Sequence, residues 1–471
     1  MKKYIKNIIL AAFSTSLLVG CQTELDTFNQ NPNNPSTSNP SLLIAAMELG
    51  TFQASSSGVM RYAGIFTQQL QGTNLGQMGA VSLYTVSEGD VNNEWNLLYG
   101  NNLMNGHILN RDFAKFYPWY NGIGQVLTAI NLGYATDMWG DVPYDDAFLA
   151  AEGNKTPKYN TQQEIYTRLQ STLDQAIVNL SKPAASNEEV PSDDDFIFKG
   201  DTDKWIKVAY VLKARYALRL TQVEGSTVAA QKALDYITKA NMTSNADNAN
   251  TFFYGDANSL NQWYAFNVQR RNYVKMGKYF VDHVKNDPRL TFMVGKDDSN
   301  GYSGNAPEDD NTLTTSYISG FKRPATKFKD TETGFASPDW QIGIVTYAEA
   351  KFIEAEAKAR LGQPALTALQ QAVTASVTSV TGAAPTPAFL ATATATSDIA
   401  NIIQQKYIAL FLTMEPYNDY RRTGFPALIP NQKSDTKVIP VRLPTPSDER
   451  QYNANATVVS NVTSKIWWDK D

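Results

Sequence analysis

The chain has 471 residues with 41 basic and 46 acidic side chains, a net charge of −5 and no basic stripe. This length is sufficient for a large hydrophobic core, and the charge pattern argues against nucleic acid as a partner. One cysteine and two histidines exclude a disulfide framework and disfavour zinc sites built from thiolates and imidazoles. Because no motif of a serine hydrolase, P-loop protein or zinc protease occurs, we predict neither a catalytic residue nor a cofactor.

The N-terminus has the pattern of a lipoprotein signal peptide over residues 1–20. Three early lysines precede an apolar segment over 8–19, which at about 1.5 Å per residue is too short to span a bilayer. The segment ends at Leu18-Val19-Gly20-Cys21, which resembles a bacterial lipobox. We therefore predict that Cys21 is lipidated and attaches the protein to a membrane.

Residues 21–41 follow as a predicted flexible tether. They are rich in Asn, Pro, Ser and Thr, a composition that cannot form a packed core. Glu24 and Asp26, just after the cysteine, resemble the surface-export signal of lipoproteins in the Bacteroidetes group. The remaining chain, 42–471, is predicted to form one domain.

Hydrophobic periodicity predicts that this domain is mainly α-helical. Apolar residues recur at helical spacing in several segments: 123–134, 161–181, 203–220, 226–241, 342–361, 364–379 and 398–414. The pair 203–220 and 226–241, joined by a short turn, resembles a tetratricopeptide hairpin. The predicted fold is thus a mainly α set of tetratricopeptide-like helical hairpins with long loops and few short strands, although an ordinary helical bundle stays open.

Two segments are predicted as loop excursions from this helical body. Residues 296–339 are crowded with Asp, Asn, Gly, Ser and Pro, and residues 372–397 are biased towards Ala, Thr and Pro. A calcium site without EF-hand spacing, built from Asp297, Asp298, Asp309 or Asp310, is a less favoured alternative to a solvated acidic loop in 297–310. The acidic run 193–195 is predicted to be an exposed turn.

Three motifs distributed along the chain resemble a known family. They are DMWGDVPY over 137–144, EPYNDYRRTGFP over 415–426, and the set Ile439, Pro440, Arg442, Pro446, Glu449 and Asn453. With the lipobox, the tether and NDPRL over 286–290, this order resembles the SusD/RagB family of outer-membrane nutrient-binding lipoproteins. Thr445 is a departure, because the family often has tyrosine there.

The resemblance implies a mainly helical fold with long ligand-binding loops, in a lipid-anchored protein on the cell-surface side of the outer membrane. It also implies a partner, a TonB-dependent transporter of the SusC type, over which the protein sits like a lid. The implied cargo is an oligosaccharide or, in some members, a peptide, which is bound and handed over without catalysis.

Ligand capture of this kind requires aromatic rings with accessible faces, since sugar rings stack on them while polar side chains bind the hydroxyls. Rings in polar, loop-like surroundings are the best candidates, together with a neighbouring cation. We predict ligand contacts from Tyr84, Trp263, Tyr264, Phe266, Arg270 and Trp340. For each ring the alternative is a half-buried aromatic that covers a helix end, whereas Trp139, Arg421 and Arg422 are predicted to be scaffold.

Two other functions stay open at this stage. A surface glycan-degrading enzyme would need a pair of carboxylates, and the sequence identifies no such pair. A helical-repeat scaffold that binds only proteins would place its contacts on a concave helical face rather than on loops.

Overall fold

The computed structural model describes residues 39–56, 58–309, 313–320 and 333–470. The predicted signal peptide, Cys21 and most of the predicted tether lie outside the described residues. The first helix begins at Pro40, with Asn39 as its N-cap, so the last two residues of the predicted tether belong to the domain.

Helices dominate the described chain. They are α1 (Pro40–Ala54), α2 (Gly58–Phe66), α3 (Gln77–Ser82), α4 (Asn92–Asn96), α5 (Met104–Phe113), α6 (Pro118–Trp139), α7 (Gln162–Leu180), α8 (Thr202–Arg219), α9 (Ser226–Ala240), α10 (Gln262–Gln269), α11 (Lys278–Val284), α12 (Leu290–Met293), α13 (Tyr347–Arg360), α14 (Leu366–Thr381), α15 (Pro387–Ala393), α16 (Ile399–Ala409), α17 (Glu415–Thr423) and α18 (Ser447–Tyr452). Leu97–Leu103 forms a π-helical segment, and 3₁₀ turns occupy Glu88–Val91, Ala184–Ser186, Leu220–Gln222 and Asn245–Asp247.

The strands are short and pair only two at a time within the described residues. They are β1 (Leu70–Gly72), β2 (Val142–Pro143), β3 (Tyr159–Asn160), β4 (Ala249–Asn250), β5 (Val274–Met276) and β6 (Gly343–Val345). All three pairs are antiparallel: β1 with β5, β2 with β3, and β4 with β6. The pairing of Ala249 with Val345 joins two loop regions that are distant in sequence.

Local sequence explains where the central helices begin and end. Thr161 caps α7 in a capping box with Glu164, and Asp201 accepts a hydrogen bond from the Lys204 N–H to cap α8. Asn241 ends α9 with φ +44°, a left-handed conformation that asparagine tolerates. These signals account for the close agreement of the predicted and observed helices here.

The helices pack as successive hairpins, as the periodicity predicts. Helix α8 contacts α7 and α9, α9 contacts α13, and α13 contacts α14. The inward face of α7 presents Ile165, Leu169, Leu173, Ala176 and Leu180, all buried. The mainly α, tetratricopeptide-like fold class is therefore confirmed.

Other parts of the sequence prediction need correction. The predicted excursion 372–397 is largely helical, because alanine has high helix propensity and α14 buries Ala372 and Val373 against α13 and α16. Residues 343–345 at the start of the predicted helix 342–361 form β6 instead. Among the described residues of 296–339, only turns and isolated bridges occur.

Two of the family-like motifs, DMWGDVPY and EPYNDYRRTGFP, contribute to a buried set of ion pairs, called here the signature cluster. Its members come from the end of α6 and from α8, α13, α16 and α17: Asp137, Arg215, Arg219, Glu349, Glu356, Lys406, Glu415, Asp419 and Arg422. Arg215 holds Glu349 in a bidentate pair at 2.6 and 2.7 Å, and Arg422 lies 2.7 Å from Asp419. These ion pairs connect helices that are distant from one another in the sequence.

Electrostatics in the cluster favour the charged forms. Burial by itself would raise the pKa of Glu356, but Arg422 and Arg360 together lower that pKa well below its usual range. Likewise, Arg219 and Arg215 overcome the effect of burial and lower the pKa of Glu415. The predicted scaffold role of Arg422 agrees with this geometry.

Trp139 and Arg421, also predicted to be scaffold, tie the C-terminal segment to α6. The Trp139 indole N–H donates to the carbonyl of Pro444 at 2.9 Å, and Arg421 donates to the carbonyls of Asp137 and Val441 at 2.6 and 2.8 Å.

No helix in the described ranges combines the length and hydrophobicity needed to cross a membrane.

Candidate functional site

A cavity of about 370 Å³ opens beside Trp340 and is called here the Trp340 cavity. The β4–β6 pair, the residues that follow 332, helix α14 and the segment after α16 form its walls. Its polar lining is almost entirely amide and hydroxyl: Asn245, Asn248, Asn250, Thr333, Gln341, Thr346, Ser376, Ser379 and Thr413. Among the described lining residues, Asp339 is the single charged side chain.

Trp340 is half-buried and packs against a cluster of aromatic rings. Its ring centroid lies 5.2 Å from that of Phe335, which in turn packs at 5.1 Å against Phe411. Phe335 and Phe411 also line the cavity. A ring supported in this way loses little conformational freedom when it stacks on a ligand, because its position is already fixed.

The amide side chains of the cavity are held in place by backbone contacts. The Asn248 Oδ1 accepts from the Tyr347 N–H at 2.7 Å, and the Asn245 Nδ2 donates to the carbonyl of Ala375 at 2.9 Å. The Thr251 Oγ1 accepts from the Ile342 N–H at 2.8 Å beside the β4–β6 pair. These contacts hold Asn248 and Asn245 in position.

The segment 251–261 contacts Trp340 and Asp339 beside the cavity. Asn261 Nδ2 donates to the Trp340 carbonyl at 2.8 Å, while its Oδ1 accepts from the N–H groups of Trp263 and Tyr264. Tyr254, which the sequence prediction missed, is 70% exposed and directly precedes Gly255, whose backbone approaches Asp339. Tyr254 is thus an exposed aromatic residue in the segment that contacts Trp340.

The structure separates the ligand-contact residues predicted in α10. Trp263 is 0% exposed, so its predicted role as an accessible stacking ring is wrong in this structure. The first turn of α10, capped by Asn261, directs that ring into the core. Tyr264 and Phe266 are half-buried, and the Arg61 guanidinium lies 4.3 Å above the Phe266 ring. Arg270 is exposed at the end of α10.

Tyr84 also lacks the exposure predicted for it. It is 6% exposed, packs edge-on against Phe66, and its hydroxyl accepts from the Asn431 N–H at 2.8 Å. Burial raises the pKa of Tyr84 to about 12. The Gly- and Ser-rich composition around Tyr84 suggested a loop, but the contact with residue 431 covers the ring.

Of the predicted residues, the structure therefore connects Trp340 with the start of α10 through Asn261, and it leaves Tyr84 in a different environment. The asparagines of the cavity were missed. Their signal in the sequence is the dense run Asn245, Asn248 and Asn250 just after α9. Composition alone could have identified this run, but not that it would face Trp340.

The acidic loop shows no metal cluster in its described part. One oxygen of Asp297 accepts from the N–H groups of Ser299 and Gly301, and the other accepts from the Ser303 hydroxyl at 2.7 Å. Asp310 lies outside the described residues. No group of three or more His, Cys, Asp or Glu side chains suited to a metal occurs in the described chain.

The arrangement suits binding better than catalysis. A tryptophan face with surrounding amides and hydroxyls can stack a sugar ring and bind its hydroxyl groups. Glycoside hydrolysis uses two carboxylates about 5–10 Å apart, whereas Asp339 is the one carboxylate among the described lining residues.

Comparisons with known proteins agree with this description. A SusD-like family model described as "Starch-binding associating with outer membrane" matches residues 32–446. No curated protein matches the sequence significantly.

Solved structures share the fold across nearly their whole length. A SusD/RagB family protein from Bacteroides thetaiotaomicron has a TM-score of 0.76 at 24% identity, with 92% of this chain and 99% of that chain covered. A chitin-binding SusD homolog from Flavobacterium johnsoniae has a TM-score of 0.75 at 21% identity, with 91% and 99% covered. A SusD homolog from Bacteroides fragilis has a TM-score of 0.72 at 22% identity, with 92% and 100% covered.

The family match spans the motifs at 137–144 and 415–426, the tetratricopeptide-like hairpins and the Trp340 cavity, and the three solved structures show the same fold. The chain belongs to the SusD-like family of outer-membrane-associated binding proteins.

Proposed function

We propose that this protein is a lipid-anchored, cell-surface binding protein that captures neutral oligosaccharides at the Trp340 cavity. It passes them, chemically unchanged, to a TonB-dependent outer-membrane transporter of the SusC type. The observation that carries the proposal is the supported ring of Trp340 beside a cavity lined by amides and hydroxyls. Hydroxyl-rich ligands satisfy both kinds of contact.

The lining favours a neutral glycan over a peptide as cargo. A peptide brings charged termini and often charged side chains, whose recognition needs opposite charges close by. The described lining offers Asp339 and no cation. The chitin-binding homolog from Flavobacterium johnsoniae supports a glycan as the class of ligand.

Titration of the detergent-solubilised full-length protein tests this proposal. Calorimetry and tryptophan fluorescence would follow binding of neutral oligosaccharides, uronic acid oligosaccharides and short peptides, with mass spectrometry of every mixture for cleavage products. Neutral oligosaccharides should bind at micromolar affinity, equivalent to about 8 kcal/mol, and should be recovered intact.

Trp340→Ala should weaken this binding at least tenfold, about 1.4 kcal/mol, because the stacking face is lost. Trp119→Ala is the matched control, since Trp119 is also half-buried but lies at the start of α6, where its indole N–H donates to the Lys182 carbonyl. Equal binding by the Trp340 variant and wild type would refute the site. Cleavage products in the mass spectra would instead support a glycan-degrading enzyme. If no oligosaccharide or peptide binds, a scaffold that binds only proteins would be supported.

The transporter partnership has its own test. Affinity purification of the tagged protein from native outer membranes should recover a TonB-dependent β-barrel in stoichiometric amount. Cys21→Ser should remove the protein from the membrane fraction, because the lipid attachment site is lost. Recovery of the Cys21 variant in the outer membrane would contradict the predicted anchor.

A further inference from the structure

A second depression lies beside the Trp340 cavity and is called here the α14 groove. It has a volume of about 340 Å³ and lies between α14 and the turn before β4. Helix α14 contributes one face to it at helical spacing: Thr367, Gln370, Gln371, Thr374, Ala375 and Thr378. The opposite side is formed by residues 243–245 and the ring of Tyr347.

The chemistry of this groove repeats that of the Trp340 cavity. Every polar side chain in its described lining is a hydroxyl or a carboxamide, and none is charged. Tyr347 supplies the aromatic ring and is half-buried, with its backbone N–H fixed by Asn248 at 2.7 Å. The Lys351 ammonium lies over that ring, 5.6 Å from its centre, and is not part of the described lining of the groove.

The two depressions are neighbours that share a side chain. Asn245 lines both, and its Nδ2 donates to the carbonyl of Ala375, which fixes the asparagine at the boundary. Thr346 lines the Trp340 cavity while the next residue, Tyr347, lines the groove. On α14, Ser376 and Ser379 line the cavity whereas Ala375 and Thr378 line the groove.

We propose that the α14 groove is a second saccharide subsite, continuous with the Trp340 cavity across Asn245, in which Tyr347 stacks on a further sugar ring of the same neutral chain. This inference rests on the proposed function. A ligand long enough to occupy both depressions gains a second aromatic contact and a second set of hydrogen bonds. Affinity should therefore rise with chain length.

The test is a chain-length series on the full-length protein. Disaccharides and hexasaccharides of three neutral types (α-1,4-glucose, β-1,4-glucose and β-1,4-N-acetylglucosamine) would be titrated by calorimetry against wild type, Tyr347→Ala and Trp340→Ala. Gln371→Ala provides a second groove variant at an exposed position of α14. Tyr452→Ala is the control, because Tyr452 is 75% exposed and lies outside both depressions.

In wild type, the hexasaccharide of the preferred type should bind roughly tenfold more tightly than its disaccharide. Tyr347→Ala should remove that gain and leave disaccharide affinity unchanged, and Gln371→Ala should reduce it about threefold. Trp340→Ala should weaken both lengths, and the control should weaken neither.

The outcomes separate the two proposals. If disaccharides bind and Trp340→Ala weakens them, but both groove variants retain the full length dependence, the groove is not a subsite although the Trp340 site stands. A wild-type protein with equal affinity for both lengths also overturns the subsite. If no sugar of either length binds wild type, the proposed function fails and the subsite fails with it.

Discussion

The signature cluster and the Trp340 cavity are both polar, yet they use opposite kinds of polar group. The cluster contains full charges, each with a partner of opposite sign, and Arg422 and Glu356 are 3% and 0% exposed. The described cavity lining contains neutral amides and hydroxyls with the single charge of Asp339. The two regions meet near β6, where Thr346 lines the cavity and Glu349, one helical turn later, belongs to the cluster.

This difference follows from solvation. A buried charge is tolerated only when counter-charges replace the water it has lost, so the paired groups of the cluster have no capacity left for a ligand. Neutral amides and hydroxyls cost less to desolvate and can exchange water for sugar hydroxyls. Charged motifs that are prominent in the sequence therefore mark the scaffold in this protein, and the candidate site lies in less conspicuous residues.

Breaking the cluster should have the largest effect on stability. Arg422→Met leaves Glu356 and Asp419 without a shared cation and should lower the free energy of unfolding by about 3–5 kcal/mol. Urea denaturation followed by circular dichroism measures the loss. Arg450→Met is the control, because its pair with Glu88 is exposed and should contribute less than about 1 kcal/mol. Similar losses of unfolding free energy for Arg422→Met and Arg450→Met would contradict the expected difference between buried and exposed ion pairs.

Acid should weaken the cluster before it affects the neutral cavity. The folded-state pKa values of Glu356 and Glu415 are lowered, so the stability that these groups contribute is present above the unfolded-state pKa of about 4.3. That contribution is lost progressively as the pH falls below this value. Thermal unfolding between pH 7 and about pH 3 should show a steep loss in wild type and a shallower one in Arg422→Met. Parallel pH profiles for wild type and Arg422→Met would argue against the signature cluster as the source of the pH dependence.

A carboxylate buried beside another carboxylate should behave in the opposite way. Burial raises the pKa of Glu48, and the nearby Asp195 raises it further. Since the folded state then holds a proton that the unfolded state releases, stability should fall as the pH rises from about 4.3 towards the raised pKa.

Glu48→Gln retains an acceptor for the Phe196 N–H and places an amide donor beside Asp195. It should therefore raise the melting temperature at pH 8 more than at pH 5, because the amide does not titrate and so removes the loss of stability that Glu48 causes as the pH rises. The exposed Glu152→Gln is the control. A uniform shift across the pH range would contradict the protonated state of Glu48.

Removing the charge from the cavity should have the smallest effect. Asp339→Asn should change the affinity for a neutral oligosaccharide less than about twofold, because neutral hydrogen bonds replace a single exposed carboxylate. Calorimetric titration alongside wild type would measure the change. A loss of affinity of tenfold or more would show that binding requires the Asp339 carboxylate and that the cavity does not bind through neutral groups alone.

Asp195 illustrates how far residue chemistry depends on tertiary contacts. The run 193–195 is predicted as an exposed turn, yet Asp195 is 0% exposed. Its two oxygens accept from the N–H groups of Ile197, Phe198 and Gly200 and from the Trp205 indole N–H. The exposed-turn prediction is therefore wrong for this residue, because a following helix folds its tryptophan back onto the carboxylate.

The sequence by itself determined the helical hairpins, since these depend on periodicity and on local hydrogen bonds within a few residues. The order of its short motifs indicated the family, and its composition indicated Trp340 as an aromatic residue at the end of a long acidic loop. Only the tertiary structure decided which rings remain accessible: Trp263 and Tyr84 are buried by residues far away in the chain, whereas Tyr254 is left exposed. The assembly of Asn245, Trp340 and Tyr347 around adjoining depressions depends on the pairing of β4 with β6, a contact between segments that local sequence does not encode.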